Sequence, residues 1–81
     1  MMKKKSITLK GHRTSIALEE EFWLALEDLA TIDNRTLPAL VNAIDRERLK
    51  LSPTPGLASA IRVYILNRVQ RAPSRPNETQ H

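Results

Sequence analysis

The stretch GHRTSIALEEEFW, Gly11 to Trp23, changes both its sign of charge and its repeat within a few residues. From His12 to Leu18 the pattern alternates. Thr14, Ile16 and Leu18 fall on one side and Arg13, Ser15 and Ala17 on the other, the two-residue repeat of a half-buried strand. From Glu19 the repeat lengthens, with Phe22, Ala25, Leu26 and Leu29 at i, i+3, i+4 and i+7, the spacing of one helical face. Glu19, Glu20 and Glu21 then occupy the first helical turn. There the positive end of the helix dipole favours anions by roughly 0.3–1 kcal/mol each.

The charge boundary coincides with the boundary between elements. Residues 1–18 hold Lys3, Lys4, Lys5, Lys10 and Arg13 with no acid, and residues 19–33 hold Glu19, Glu20, Glu21, Glu27, Asp28 and Asp33 with no base. The formal net charge of +4 points to a polyanionic partner such as nucleic acid.

Upstream, Ser6-Ile7-Thr8-Leu9 also alternates, but its apolar residues stand at odd positions and those of the next strand at even ones. One flat strand cannot bury both sets, so Lys10-Gly11 carries a turn, bulge or break. Downstream, Asp33-Asn34-Arg35-Thr36 is a turn, with Asn34 suited to the left-handed conformation that ends a helix and Thr36 a good N-cap. Leu37, Leu40, Val41 and Ile44 repeat the helical spacing to about Leu49, and Pro38 lies early enough to be tolerated. Two prolines and a glycine between Leu51 and Gly56 break that helix. Leu57 to Gln70 forms a third helix, apolar nearly all round, and the Pro-rich polar residues 71–81 are expected to be disordered.

A chain of 81 residues has room for one small domain, marginal alone. It has no cysteine, and His12 and His81 are too far apart to suggest a metal site, so oligomerisation is the remaining stabilising device. No cofactor is implied. No apolar run, Val63 to Leu66 included, approaches the roughly 20 residues that cross a bilayer, which makes no membrane and a cytoplasmic location the default expectation. An enzyme is not expected either, because no Gly-rich phosphate loop, cysteine or paired base and nucleophile can be assembled.

One good strand followed by helices leaves backbone donors and acceptors unpaired. The fragment before it can close a hairpin through Lys10-Gly11, or the same strand of a second molecule can pair with it across a two-fold axis.

At this point the sequence resembles the ribbon-helix-helix family. The strand RTSIAL (Arg13 to Leu18), the acidic helix EEEFWLALEDLA (Glu19 to Ala30), the turn NRT (Asn34 to Thr36) and the helix LPALVNAI (Leu37 to Ile44) carry the resemblance. The longer run KSITLKGHRTSIALEEEFW with the later GLASAIRVYIL is similar to a bacterial subgroup of that family. The implied fold is mainly α: one N-terminal strand paired with its copy in an intertwined homodimer, then three helices. Residues 1–11 would be a basic arm and residues 12–70 the domain with its extra C-terminal helix. The implied function is a dimeric, sequence-specific DNA-binding protein, a transcriptional repressor that lays an antiparallel ribbon in the major groove of double-stranded DNA.

Under that resemblance the base-contacting residues are Arg13, Ser15 and Ala17. Arginine can donate two hydrogen bonds to guanine, Ser15 can donate or accept, and Ala17 offers a methyl contact. Phosphate contacts fall to Lys3, Lys4, Lys5, Lys10 and His12, and to Arg35, Thr36 and Leu37 at the start of the second helix, where free amides attract anions. The dimer core would be Ile16, Leu18, Phe22, Leu26, Leu40, Ile44, Ile61 and Ile65. Trp23 and Tyr64, at helical spacing among apolar residues, are expected in the core rather than as stacking platforms. The rival expectation keeps the dimer fold but binds a partner protein through the third helix and tail, as an antitoxin or adaptor would.

Overall fold

The computed structural model describes residues 1–71; the expected tail from residue 72 onward lies outside them. Two strands precede three helices: β1 Met2–Leu9, β2 His12–Glu19, α1 Glu20–Ile32, α2 Leu37–Arg48 and α3 Leu57–Gln70. The segment expected to be a basic arm is therefore a full strand, and the ribbon within one chain has two strands where the sequence reading expected one.

The turn explains the difference. Lys10 and Gly11 both take positive φ, 51° and 83°, as a two-residue turn of the primed kind requires. Its register pairs Leu9 with His12 and continues to Met2 with Glu19, so an odd position always faces an even one. The shift of apolar parity between the two fragments, which forbids one continuous strand, is what such a hairpin needs. Ile7 and Leu9 of β1 and Ile16 and Leu18 of β2 are buried on one face, while Lys4, Ser6, Thr8, Arg13 and Ser15 are exposed on the other.

α1 packs beneath that apolar face, turned slightly from the orientation its spacing implies. Trp23, Leu26 and Ala30 are buried, and Phe22, Ala25 and Leu29 only partly so. The indole occupies the centre because its Nε1 donates to the Lys3 carbonyl at 2.8 Å, which lets the largest side chain be buried without an orphaned donor. Phe22 is left at the margin with the Arg62 guanidinium 5.8 Å from its ring centroid.

Asn34, at φ 60°, ends α1, and the Arg35 amide donates to the Ala30 carbonyl at 2.8 Å. Thr36 caps α2, its hydroxyl accepting from the Ala39 amide at 3.2 Å. α2 buries Leu40, Val41, Ile44 and Asp45. Arg48 satisfies the buried Asp45 carboxylate at 2.8 Å and donates to the Pro55 carbonyl at 3.0 Å, which ties the α2–α3 connection down. α3 contributes Ile61 and Ile65 to the core but leaves Val63, Leu66 and Val69 more than half exposed. Of the residues assigned to a dimer core, all but the half-buried Phe22 are buried within the single chain.

The two faces of β2 predict opposite responses to the same substitution. Ile16→Lys should abolish the cooperative melt, because it places an unpaired charge in the core. Ser15→Lys should leave a cooperative melt in place, because the side chain at this position stands on the exposed face. Circular dichroism melts of the two variants check this; similar melting temperatures would contradict the assigned faces.

Candidate nucleic-acid interface

The exposed side of the hairpin is a small basic and hydroxyl-rich surface. Across the strands Thr8 faces Arg13, Ser6 faces Ser15 and Lys4 faces Ala17, so the three expected base readers are flanked by three β1 side chains. Ser6 and Thr8 were missed as members of this face. Their alternation with Ile7 and Leu9, followed by Lys10-Gly11, was the available signal.

The five expected phosphate contacts on the hairpin take up different surroundings. Lys5 points to the helices, its Nζ 3.1 Å from Glu27 Oε2 and 5.4 Å from the Trp23 ring centroid, and so does not belong to the exposed face. Lys3 shares the alternation of Lys5, whereas Lys4 stands on the side of Arg13. Lys10 is exposed at the turn. His12 is exposed beside it on the helix side of the alternation.

The first carboxylate after the ribbon is answered by a helix. Glu19 closes β2 and lies 3.0 Å from Arg62 Nη2. A hydrogen bond from its own backbone, and then Arg62, hold its carboxyl below the usual range. Glu20 and Glu21 begin α1 and are exposed.

The two edges of the hairpin are not equivalent. A two-residue turn makes Leu9 and His12 a hydrogen-bonded pair, and the alternation of antiparallel ladders then aims the backbone of Thr14, Ile16 and Leu18 at β1. The N–H and C=O groups of Arg13, Ser15 and Ala17 consequently point away, to the outer edge of β2. On β1 the matching outward carbonyl, that of Thr8, accepts from Asn42 Nδ2 at 3.1 Å, while Asn42 Oδ1 accepts from the Lys10 amide at 3.3 Å. Asn42, also missed from sequence, covers one end of the β1 edge from α2. Its signal was a lone amide side chain within the apolar run of that helix.

At the start of α2 the donors are few. Thr36 already occupies the Ala39 amide and Pro38 has none, which leaves the Thr36 and Leu37 amides beside the Arg35 side chain. The nearby Asp33 would oppose an anion there, but Arg68 holds it in a two-pronged pair at 2.8 and 2.9 Å. Arg68 also donates to the Tyr64 hydroxyl at 2.6 Å. Hydrogen bonding to Arg68 lowers the Asp33 carboxyl below its usual range, against a weaker upward push from burial, and Arg35 adds to the lowering.

The chain matches the family model described as "Ribbon-helix-helix domain" over residues 2–69, and it belongs to that family. No curated protein and no solved structure matches it. The match includes β1, so the first strand lies within the family's domain. Among the described residues no helix is long and apolar enough to cross a membrane.

A depressed Asp33 pKa means that this pair stabilises the fold above the unfolded-state value of about 3.9 and loses its contribution as pH falls through the folded-state value. Arg68→Met should therefore raise the Asp33 pKa toward the ordinary range and lessen the loss of stability below about pH 4. Carboxyl titration by NMR and acid melts check this. An unmoved Asp33 pKa would show that Arg68 is not its partner in solution.

Proposed function

We propose that the protein is a dimeric DNA-binding regulator that reads the major groove with a ribbon made from β2 of each protomer. The observation that carries this is the outer edge of β2: its backbone groups at Arg13, Ser15 and Ala17 face outward, and the same residues present their side chains on the exposed face. Membership of the ribbon-helix-helix family supports the same role, and no catalytic function is assigned.

Pairing about an axis at Ser15 brings residues with outward-facing backbones together, Arg13 against Ala17 of the second protomer and Ser15 against its own copy. That register satisfies both edges with hydrogen bonds. It leaves two Arg13 side chains on the exposed face, one for each half-site, separated by small residues. Arginine is the one strong base reader available, so sequence preference rests on Arg13 and on DNA shape, with the serine and alanine contributing less. The start of α2, with Arg35 and the Thr36 and Leu37 amides, supplies a modest phosphate contact.

A second reading has its own support. Val63, Leu66 and Val69 form an exposed apolar stripe along α3, and Val63 also lines the groove between α2 and α3. Such a surface suits a partner protein on the same dimer. Duplex binding that weakens steeply between two salt concentrations favours DNA; retention of a protein partner in high salt without duplex binding favours the second reading.

Sedimentation at micromolar concentration should give a dimer, and a folded monomer whose melt does not depend on concentration would contradict it. Arg13→Ala should cost about 1–3 kcal/mol per half-site on the preferred sequence and relax preference at one symmetric pair of positions. Binding to random duplex should fall much less. Equal loss on both, measured by fluorescence anisotropy, would make Arg13 a phosphate contact only.

A further inference from the structure

We infer that β1 is a rigid phosphate-contacting strand, in which Lys4, but neither Lys3 nor Lys5, touches the DNA backbone. This rests on the reading of β2 as the groove-inserted strand and adds the outer strands to it.

If β2 pairs with its copy, each β1 lies outside it, and the sheet has four strands in the order β1, β2, β2, β1. Strands are spaced by about 4.8 Å, so the outermost axes are roughly 14 Å apart. The major groove is about 12 Å wide and accepts a two-stranded ribbon. The central pair fits between the walls, and the two β1 strands must lie over them, where the phosphates are.

The alternation of β1 then sorts three consecutive lysines. Lys4 faces Ala17 on the side that carries Arg13 and Ser15, together with Ser6 and Thr8. Lys5 is on the opposite side, committed to Glu27 and Trp23, and Lys3 shares that side. The hydroxyls of Ser6 and Thr8 are suited to donate to phosphate oxygens beside the Lys4 ammonium. Pairing with Leu18, Ala17 and Ile16 and the Trp23 hydrogen bond to the Lys3 carbonyl hold the strand in place where the lysines stand, and Asn42 holds its other end at Thr8, so the lysines are not interchangeable as they would be on a loose arm.

Lys3→Ala, Lys4→Ala and Lys5→Ala remove the same formal charge from adjacent positions, which makes them mutual controls. The test is the slope of log binding constant against log salt on random duplex for the full chain, with circular dichroism confirming that each variant is folded. With two Lys4 residues per dimer, Lys4→Ala should lower the slope by about two units, and Lys3→Ala and Lys5→Ala should leave it near the parent value. Lys5→Ala also removes an ion pair, so Lys3→Ala carries the comparison if that variant is destabilised. Equal reductions by Lys3→Ala and Lys4→Ala would overturn the inference and leave the groove-binding reading in place, since residues 2–9 would then act as a flexible basic arm. Failure of the parent chain to bind duplex at any salt concentration would remove that reading, and this inference with it.

Discussion

The two-residue turn at Lys10-Gly11 is the constraint on which the other features of the molecule depend. A loop of this length fixes which residues of β1 and β2 are opposite one another, and its positive φ values set the twist of the pair. From that register follow the buried set Ile7, Leu9, Ile16 and Leu18, the exposed set that includes Lys4 and Arg13, and the outward backbone of Arg13, Ser15 and Ala17. A slip of one residue would send the exposed charges into the core and the apolar residues into solvent. Lengthening the turn would change all three assignments together.

The charge pattern is organised around this hairpin. Three ion pairs take up charges that would otherwise disturb the exposed face or the start of α2. Arg62 answers Glu19 at the end of β2, Arg68 answers Asp33 before α2, and Lys5 is drawn beneath the sheet by Glu27. All three are partly solvated, and pairs of that kind contribute little to stability on their own. Their effect is on placement. Two of the three originate from α3, which links the extra helix to the ribbon end and to the α1–α2 turn.

Much of this was legible in the sequence because local rules and tertiary demands agree. The Thr14, Ile16, Leu18 parity, the Asn34 turn, the Thr36 cap and all three helices follow from periodicity and capping chemistry. β1 was half legible: the alternation at Ser6–Leu9 and the need for a break at Lys10-Gly11 were readable, yet three lysines in succession read equally well as a solvated tail. What decided the strand was the pairing partner across the turn, which no local window contains. The roles of Trp23 over Phe22, of Asn42 on the Thr8 carbonyl and of Arg68 on Asp33 depend on contacts between residues 20 to 35 positions apart. Composition carries no trace of such contacts. The candidate site was legible to the extent that it lies on β2, and illegible where β1 adjoins it on the exposed face.

The central claim is that the outer edge of β2 is completed by a second copy of itself, and amide hydrogen exchange resolved by residue tests it most directly. Within one chain the amides of Thr14, Ile16 and Leu18 are turned to β1, and those of Arg13, Ser15 and Ala17 are turned away. The account predicts that Arg13, Ser15 and Ala17 exchange as slowly as Thr14 and Ile16 at concentrations where the dimer is populated, and that all five lose protection together on dilution. Rapid exchange at Arg13, Ser15 and Ala17 beside protected Thr14 and Ile16 would contradict it, because the hairpin would then be formed with its outer edge open to water.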